Sequence, residues 1–296
     1  MAVSGAVRGL RVNLHTHSLV SDGTDTPAEL VEKAKLAGLH VVALTDHDNF
    51  LGLAQAAAAG LSHGVEIVSG IEMSTNFAGR PLHLLGYGCR LDDQDLNAEL
   101  AKMVAARTQR VPTMLQLLAD LDMPIDSDVI ARHAQHAKAV GRPHIADAMV
   151  ELGYVPDRTT AFQHFLAAGG PAYVERYTTD IATAISLIQA AGGVAVLAHG
   201  LDGGRGQDLR DADFVELIET HGLDGLEIDH PMHDQDQRSQ LRAIASEYQR
   251  IESGGSDYHG TGKVGHDIGQ EMTDPQQYQR LLELIAVRGG QAFARP

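Results

Sequence analysis

The sequence has no tryptophan, one cysteine and only 4% aromatic residues. Its core must therefore be built from Ala, Leu, Val and Ile, and a hydrophobic share of 44% is enough for a sizeable one. The single Cys89 excludes an intrachain disulfide and any cysteine-rich zinc site, and such usage fits a reducing cytoplasm. No apolar run is long enough to span a membrane, and residues 1–9 lack the apolar stretch of a signal peptide. Positive charge is scarce as well. Lys and Arg number 23 against 39 Asp and Glu, a net charge of -16. That excess repels nucleic acid and anionic membranes at long range. An anionic substrate would need local help from metal ions or a few arginines. No long basic groove is visible, and nothing points to an obligate protein partner.

Histidine, by contrast, is plentiful: 16 residues. The first cluster is Asn13-Leu14-His15-Thr16-His17-Ser18, followed by Ser21-Asp22-Gly23. It reads as a short strand running into a polar loop, and alternation along a strand puts His15 and His17 on one face. Two imidazoles with a carboxylate close behind are common ligands for Zn, Mn and Fe.

An alternation of helix and strand follows. Thr26, Pro27 and Glu29 form a helix start, and Gly38 a stop. Apolar runs at 39–45, 65–73 and 81–88 read as strands, with an alanine-rich helix at 51–61. Residues 92–121 read as one long helix, with shorter helices at 129–137, 143–152 and 160–168. This block, 93–175, is expected to be a helical insertion capping the site, between barrel segments 1–92 and 176–296. Helix 179–191, strand 194–198, strand 223–228, helix 237–249 and helix 274–287 resume the alternation. The turn Gly203-Gly204-Arg205-Gly206 lacks the strand-to-helix pattern of a phosphate loop. The fold class is α/β.

Strand ends repeatedly carry ligand residue types: His15 and His17, Asp46 and His47, Glu72, His199, Asp257 and His259, with His83 inside a neighbouring strand. A lone histidine is ordinarily surface decoration or a satisfied structural residue. Recurrence at successive strand ends points to a multinuclear metal site, because barrels of alternating strands and helices place their chemistry at the carboxyl ends of the strands.

These segments, His15-Thr16-His17, Thr45-Asp46-His47-Asp48, Gly70-Ile71-Glu72, Ala198-His199 and Ser256-Asp257-Tyr258-His259-Gly260, resemble in order the motifs of the polymerase-and-histidinol-phosphatase (PHP) superfamily. Gly141-Arg142-Pro143-His144-Ile145-Ala146 in the insertion is similar too. The resemblance implies a distorted (β/α)7 barrel. It implies two or three divalent ions, with Mn2+ favoured and Fe2+ or Zn2+ also suited. His15, His17, Glu72 and Asp257 would hold one ion, Glu72, His83 and His199 a second, and Asp22, His47 and His259 a third. Several relatives have His where this chain has Asp22, many have Asp in place of Asn13, and many have Pro in place of Gly200.

The activity implied is phosphomonoester hydrolysis by a metal-bridging hydroxide. The resemblance is greatest to stand-alone members acting on nucleoside 3′,5′-bisphosphates and on 5′ ends of short RNA. A small phosphorylated nucleotide is therefore the expected substrate. Arg107 and Arg142 are candidates for its second phosphate, because guanidinium forks bind oxygens bidentately. Arg176 and Lys263 are weaker candidates. His144 is a further phosphate contact, His230 or His233 a proton donor to the leaving oxygen, and Asp46 an orienting group, acid or base. Competing readings are a phosphatase or cyclic phosphodiesterase for another phosphoester such as histidinol phosphate, an amidohydrolase, and a non-catalytic metal-binding regulatory module. Glu72 as bridge and the late Asp-x-His pair argue against the amidohydrolase, and the filled ligand positions argue against the regulatory module.

Overall fold

The computed structural model of the chain describes residues 9–201 and 209–295. The Gly203–Gly206 turn and most of the N-terminal segment lie outside the described residues. Seven strands form a nearly closed barrel in the order β1 (Val12–Asn13), β2 (Val41–Leu44), β3 (Glu66–Phe77), β4 (Arg80–Tyr87), β6 (Val194–Leu197), β7 (Gly225–Asp229), β8 (Ile251–Gly254). Neighbours pair in parallel except β4, which runs antiparallel to both β3 and β6. A short β5 (Thr179–Asp180) adds to the outer part of β3. The segment after β8 returns along β1: Leu14 donates to Gly254 O at 3.2 Å, Asp257 N to His15 O at 2.9 Å, and His17 N to Tyr258 O at 2.8 Å.

The strands are buried on both faces, as continuous apolar runs predict. One face packs Val41, Ala43, Val68, Leu85, Tyr87, Val194 and Val196 against α11 (Pro275–Arg288) through Tyr278, Leu281 and Ile285. The other packs Met73, Leu82, Leu84, Ala195 and Leu226 against α8 (Ile181–Ala190) and its neighbours. Period-2 alternation then assigns the ligands: Glu72 follows Val68 by four residues, and His83 precedes Leu85 by two. Both share the face of the Tyr87 cluster, farther along the same strands.

Helix α1 (Pro27–Leu36) starts as its sequence requires, with Thr26 accepting from Glu29 N and the Glu29 carboxylate accepting from Thr26 N. Between β4 and β5 run α3 (Gln94–Gln109), α4 (Val111–Ala119), α5 (Ser127–His133), α6 (Arg142–Glu151) and α7 (Arg158–Ala161). The expected single helix over 92–121 is two helices broken at Arg110. Pro112 in the first turn of α4 has no N–H and clashes with an upstream carbonyl, so the helix restarts there. The expected helix at 160–168 is instead α7 running into a π turn, Phe162–Leu166. Strand β3 continues past Met73 to Phe77, where Ala78 and Gly79 turn the hairpin with φ of 50° and 83°. Its polar tip, Ser74-Thr75-Asn76, hid that extension.

Leu96, Leu100 and Met103 of α3 belong to the barrel core. From Val111 to Ala172 a separate cluster forms around Met114, Leu118, Ile145 and Met149.

Candidate metal centre

Loops at one end of the barrel converge on Glu72. One carboxylate oxygen, Oε1, lies 2.6 Å from His83 Nδ1 and 3.0 Å from His199 Nε2. The other, Oε2, lies 3.0 Å from His17 Nε2, 3.2 Å from His47 Nδ1 and 3.4 Å from His15 Nε2. Asp257 Oδ1 stands 3.4 Å from His15 Nε2 and 3.5 Å from His17 Nε2. Asp22 reaches His259 Nε2 at 3.3 Å and His47 Nε2 at 3.6 Å. His15, His17, Glu72 and Asp257 thus form one four-residue group, His17, Asp22, His47 and His259 another, and His47, Glu72 and His83 a third. Each group offers donor atoms within 4.8 Å of one another.

The backbone holds these groups in uncommon conformations. Asp48, His199 and Asp257 have φ of 57°, 29° and 50°, which non-glycine residues adopt only when their surroundings insist. Close approach makes further demands. A Cβ on Gly255 would lie 2.5 Å from His15 N, and one on Gly23 2.5 Å from His17 O.

The donor set fits divalent cations. Asp22, Glu72, Glu227 and Asp257 are four buried carboxylates, faced by imidazoles and by Lys263, which pairs with Asp257 Oδ2. His17 Nδ1, His47 Nδ1, Asp22 Oδ1 and Glu72 Oε2 are buried without a well-formed hydrogen bond among the described residues. Lone pairs left this way are costly unless a cation takes them. Burial pushes His47 down to about 4, which keeps that imidazole neutral and able to ligate at pH 7. Burial acts the same way on His15 but is outweighed by Glu227, Asp257 and Glu72, which hold it well above its ordinary value. Mixed imidazole and carboxylate ligands suit several first-row metals.

Beside this cluster lie guanidinium groups, three from the insertion and a fourth, Arg176, just past its end. A cavity of about 50 Å³ is lined by Asp22, His47 and His83 together with Arg107, Arg110, Arg142 and Arg176. It adjoins a cavity of about 330 Å³ that shares Arg110, Arg142 and Arg176 and adds Tyr173 and Asn76. Arg107 pairs with the fully buried Asp48 and donates to Ser74 Oγ at 3.3 Å. Arg142 stacks between Phe162 and Tyr173, at 5.5 and 5.6 Å from the ring centres. Arg107 and Arg110 each keep a buried Nε with no partner among the described residues. Burial, then repulsion from Arg142, Arg176 and Arg107, pushes Arg110 down to about 8. A pocket this rich in buried positive charge calls for an anion.

A PHP-domain model matches residues 13–149. A 5′-3′ exoribonuclease of Haemophilus influenzae is 35% identical over 250 residues, 84% of this chain and 90% of its own length. A 3′,5′-nucleoside bisphosphate phosphatase of Chromobacterium violaceum is 31% identical over 258 residues, 87% and 90% of the two chains. A solved structure from Bifidobacterium adolescentis, described as a metal-dependent phosphoesterase, superposes with a TM-score of 0.88 at 32% identity, covering 93% and 96%. The chain belongs to the PHP family. It is a metal-dependent phosphoesterase, and its barrel is the PHP barrel.

Within this PHP barrel the other residues singled out in the sequence sit as follows. Asp46 accepts from Ser18 N, Ser18 Oγ and Ser21 Oγ at 2.8, 2.7 and 2.6 Å, so it shapes the loop after His17. His230 receives Met232 N at 3.1 Å on Nδ1 and turns Nε2 to Asp257 Oδ2 at 3.3 Å. It is fully buried and borders Asp257 rather than the arginine-lined cavity. His233 is engaged by Ile228 O and Leu201 N. His144 Nδ1 accepts from Gly141 N at 2.9 Å and so caps its own helix. Asn13 joins the first and last motifs, donating to Ser256 Oγ at 2.8 Å.

Three residues that the sequence reading passed over carry weight here. Glu227 accepts from His15 Nδ1 at 2.9 Å and from His199 N at 2.8 Å. It orients two of the candidate ligands. Burial opposes its charge, but His15 and His230 hold it down at about 2. Asp48 holds Arg107, and Arg110 lines both cavities. An acid inside the apolar run Leu223–Ile228 was the available signal for Glu227.

Proposed function

We propose that this PHP phosphoesterase removes the 3′-phosphate of nucleoside 3′,5′-bisphosphates, with stepwise 5′→3′ hydrolysis of short RNA as a related activity. One observation carries the reading: a cavity of about 50 Å³ is lined both by ligand-type side chains and by four arginines. One phosphoryl group facing the carboxylates and imidazoles leaves a second anionic group for the guanidiniums. The names of the Haemophilus and Chromobacterium relatives support the same substrate class.

His15, His17, Glu72 and Asp257 would hold one ion, Glu72, His83 and His199 a second, and Asp22, His47 and His259 a third. Mn2+ is the favoured metal. When bound, such ions lower the pKa of water and screen charge on phosphoryl oxygens. The remaining work falls to the chain. Glu72 offers both oxygens to opposite sides of the site. Arg107, aimed by Asp48 and Ser74, binds the phosphate that is not cleaved, and Arg142, clamped between Phe162 and Tyr173, fixes its direction. Helices 93–175 act as a cap that keeps water off these guanidiniums and strengthens their hold. His230 keeps Asp257 in orientation through its Nε2–H. A nucleotide substrate fits the cytoplasmic setting expected from the lone buried Cys89.

The test is phosphate release from 3′,5′-ADP beside AMP and histidinol phosphate, with nucleoside monophosphate release from a 5′-phosphorylated short RNA and ring opening of a cyclic phosphodiester followed in parallel, after Mn2+ loading and after EDTA. A chelator-sensitive preference for the bisphosphate or the RNA is expected. Release from histidinol phosphate alone, or from cyclic phosphodiesters alone, would overturn the nucleotide reading.

A further inference from the structure

The loops carrying Asp22 and His259 are fastened to each other and to the insertion at one point. Thr24 N donates to His259 O at 3.2 Å, and Thr261 N donates to Thr24 Oγ1 at 2.9 Å, which zips the two loops together. Above them lies Arg158, in the first turn of α7. Its Nε and Nη2 form a bidentate pair with Asp147 of α6, so the guanidinium is held by the insertion. Its Nη1 points the other way and donates to Asp22 O and to Gly262 O, each at 3.3 Å. Asp22 is itself the carboxylate of the Asp22, His47, His259 group, and Gly262 ends the short turn that follows His259. Gly262 leaves room for this contact: a Cβ there would come within 2.1 Å of Arg158 Nη1. The side chain is 17% exposed, and the barrel loop also receives Lys138 N on Val20 O at 3.0 Å. One planar group therefore spans three chain segments in a geometry that lysine, a point charge on a flexible stem, cannot reproduce.

We propose that Arg158 is a positioning residue for the third ion site, making its occupancy depend on the docked insertion. By gripping the carbonyls of Asp22 and Gly262 it fixes where the Asp22 carboxylate and the His259 ring stand relative to His47. Among the described residues Arg158 makes no hydrogen bond or ion pair to the other two groups, centred on Glu72, which meet the third only through the shared His17 and His47. This inference rests on reading the Asp22, His47, His259 group as an ion site.

The test is Mn2+ binding to the full-length protein by equilibrium dialysis, with bound metal counted by elemental analysis. Wild type is compared with Arg158→Ala, Arg158→Lys, Asp147→Asn, Asp22→Ala and the double variant Arg158→Ala with Asp22→Ala. Circular dichroism and thermal melting check the fold of each. Asp22→Ala is expected to lose the weakest Mn2+ equivalent. Arg158→Ala should weaken that same equivalent by about 10–100-fold, the range for partners that orient a ligand. The tighter equivalents, which share only His17 and His47 with that site, should weaken far less. Arg158→Lys should fail to restore it, and Asp147→Asn should weaken it in the same direction with the arginine still in place. In the double variant the two losses should not add. Loss on Asp22→Ala with no effect of Arg158→Ala or Asp147→Asn would overturn the role of Arg158 alone. Equal weakening of all equivalents, or additive losses, would also overturn it by showing a general structural effect. No change on Asp22→Ala would overturn the ion site and the inference together.

Discussion

The barrel brings imidazoles and carboxylates to the shared cavity, whereas most of its guanidiniums, Arg107, Arg110 and Arg142, come from the insertion, with Arg176 just past it. The two sets are held by different physics. Strand register fixes the barrel set: Glu72 faces Leu85 across the hairpin, His83 faces Ser74, and the alternation of faces leaves little freedom. The insertion set depends on packing between helices and on single carboxylates, Asp48 for Arg107 and Asp147 for Arg158. On the proposed function, chemistry rests on the part that is hardest to move, and substrate choice on the part that is easiest to vary.

The largest expected effect breaks the barrel side. Glu72→Ala removes the carboxylate that five imidazoles approach. Turnover should fall by about a thousandfold or more, since metal-assisted charge stabilisation is worth several kcal/mol. The chain should still melt cooperatively. Wild-type activity in that variant would refute the convergence on Glu72.

Next comes the insertion's own core. Ile145 is fully buried in a cluster separate from the barrel's. Ile145→Ala should cost about 2–5 kcal/mol of stability, read by denaturant unfolding. It should raise KM while leaving tight Mn2+ binding intact. Loss of all metal binding would show that the two regions fold as one unit.

A smaller change sharpens the barrel side. Glu227→Gln keeps the shape but weakens the hold on His15, so Mn2+ affinity should drop by about 10–100-fold in a dialysis titration. The smallest effect is a null. Burial, with the charge of Asp93 adding to it, pushes the Cys89 thiol up to about 12, so a thiol reagent should not label the native protein. Labelling without unfolding would contradict the packing drawn beneath α8.

The same division explains what could be read in the sequence. His15, His17, His47, Glu72, His199, Asp257 and His259 stood out because strand ends are visible as breaks in apolar runs, whereas Asp22 lies in a loop and His83 inside a strand, and the family resemblance gave those two their place in the set. Their convergence needed only the alternation of strand and helix. Arg110 went unnoticed because it lies at a helix break, and Pro112, which marks that break, was read through. Asp46 was expected as an orienting group, acid or base, and His230 or His233 as a proton donor. Their hydrogen bonds to Ser18, Ser21, Met232 and Asp257 are tertiary and leave no trace in spacing. Glu227 lies within the strand rather than at its end, so its one signal was an acid interrupting an apolar run, which the search for strand ends did not weigh.

The most direct test of the division is kcat/KM for 3′,5′-ADP and for a nucleoside 3′-monophosphate in wild type, Arg107→Ala and Arg142→Ala, all loaded with Mn2+. A lost charge-assisted hydrogen bond is worth about 1.5–3 kcal/mol, so the bisphosphate should lose about 10–100-fold through KM. The monophosphate should change little. Equal losses on both substrates, or losses in kcat alone, would contradict the account, because the arginines would then serve the cleaved phosphate rather than the second one.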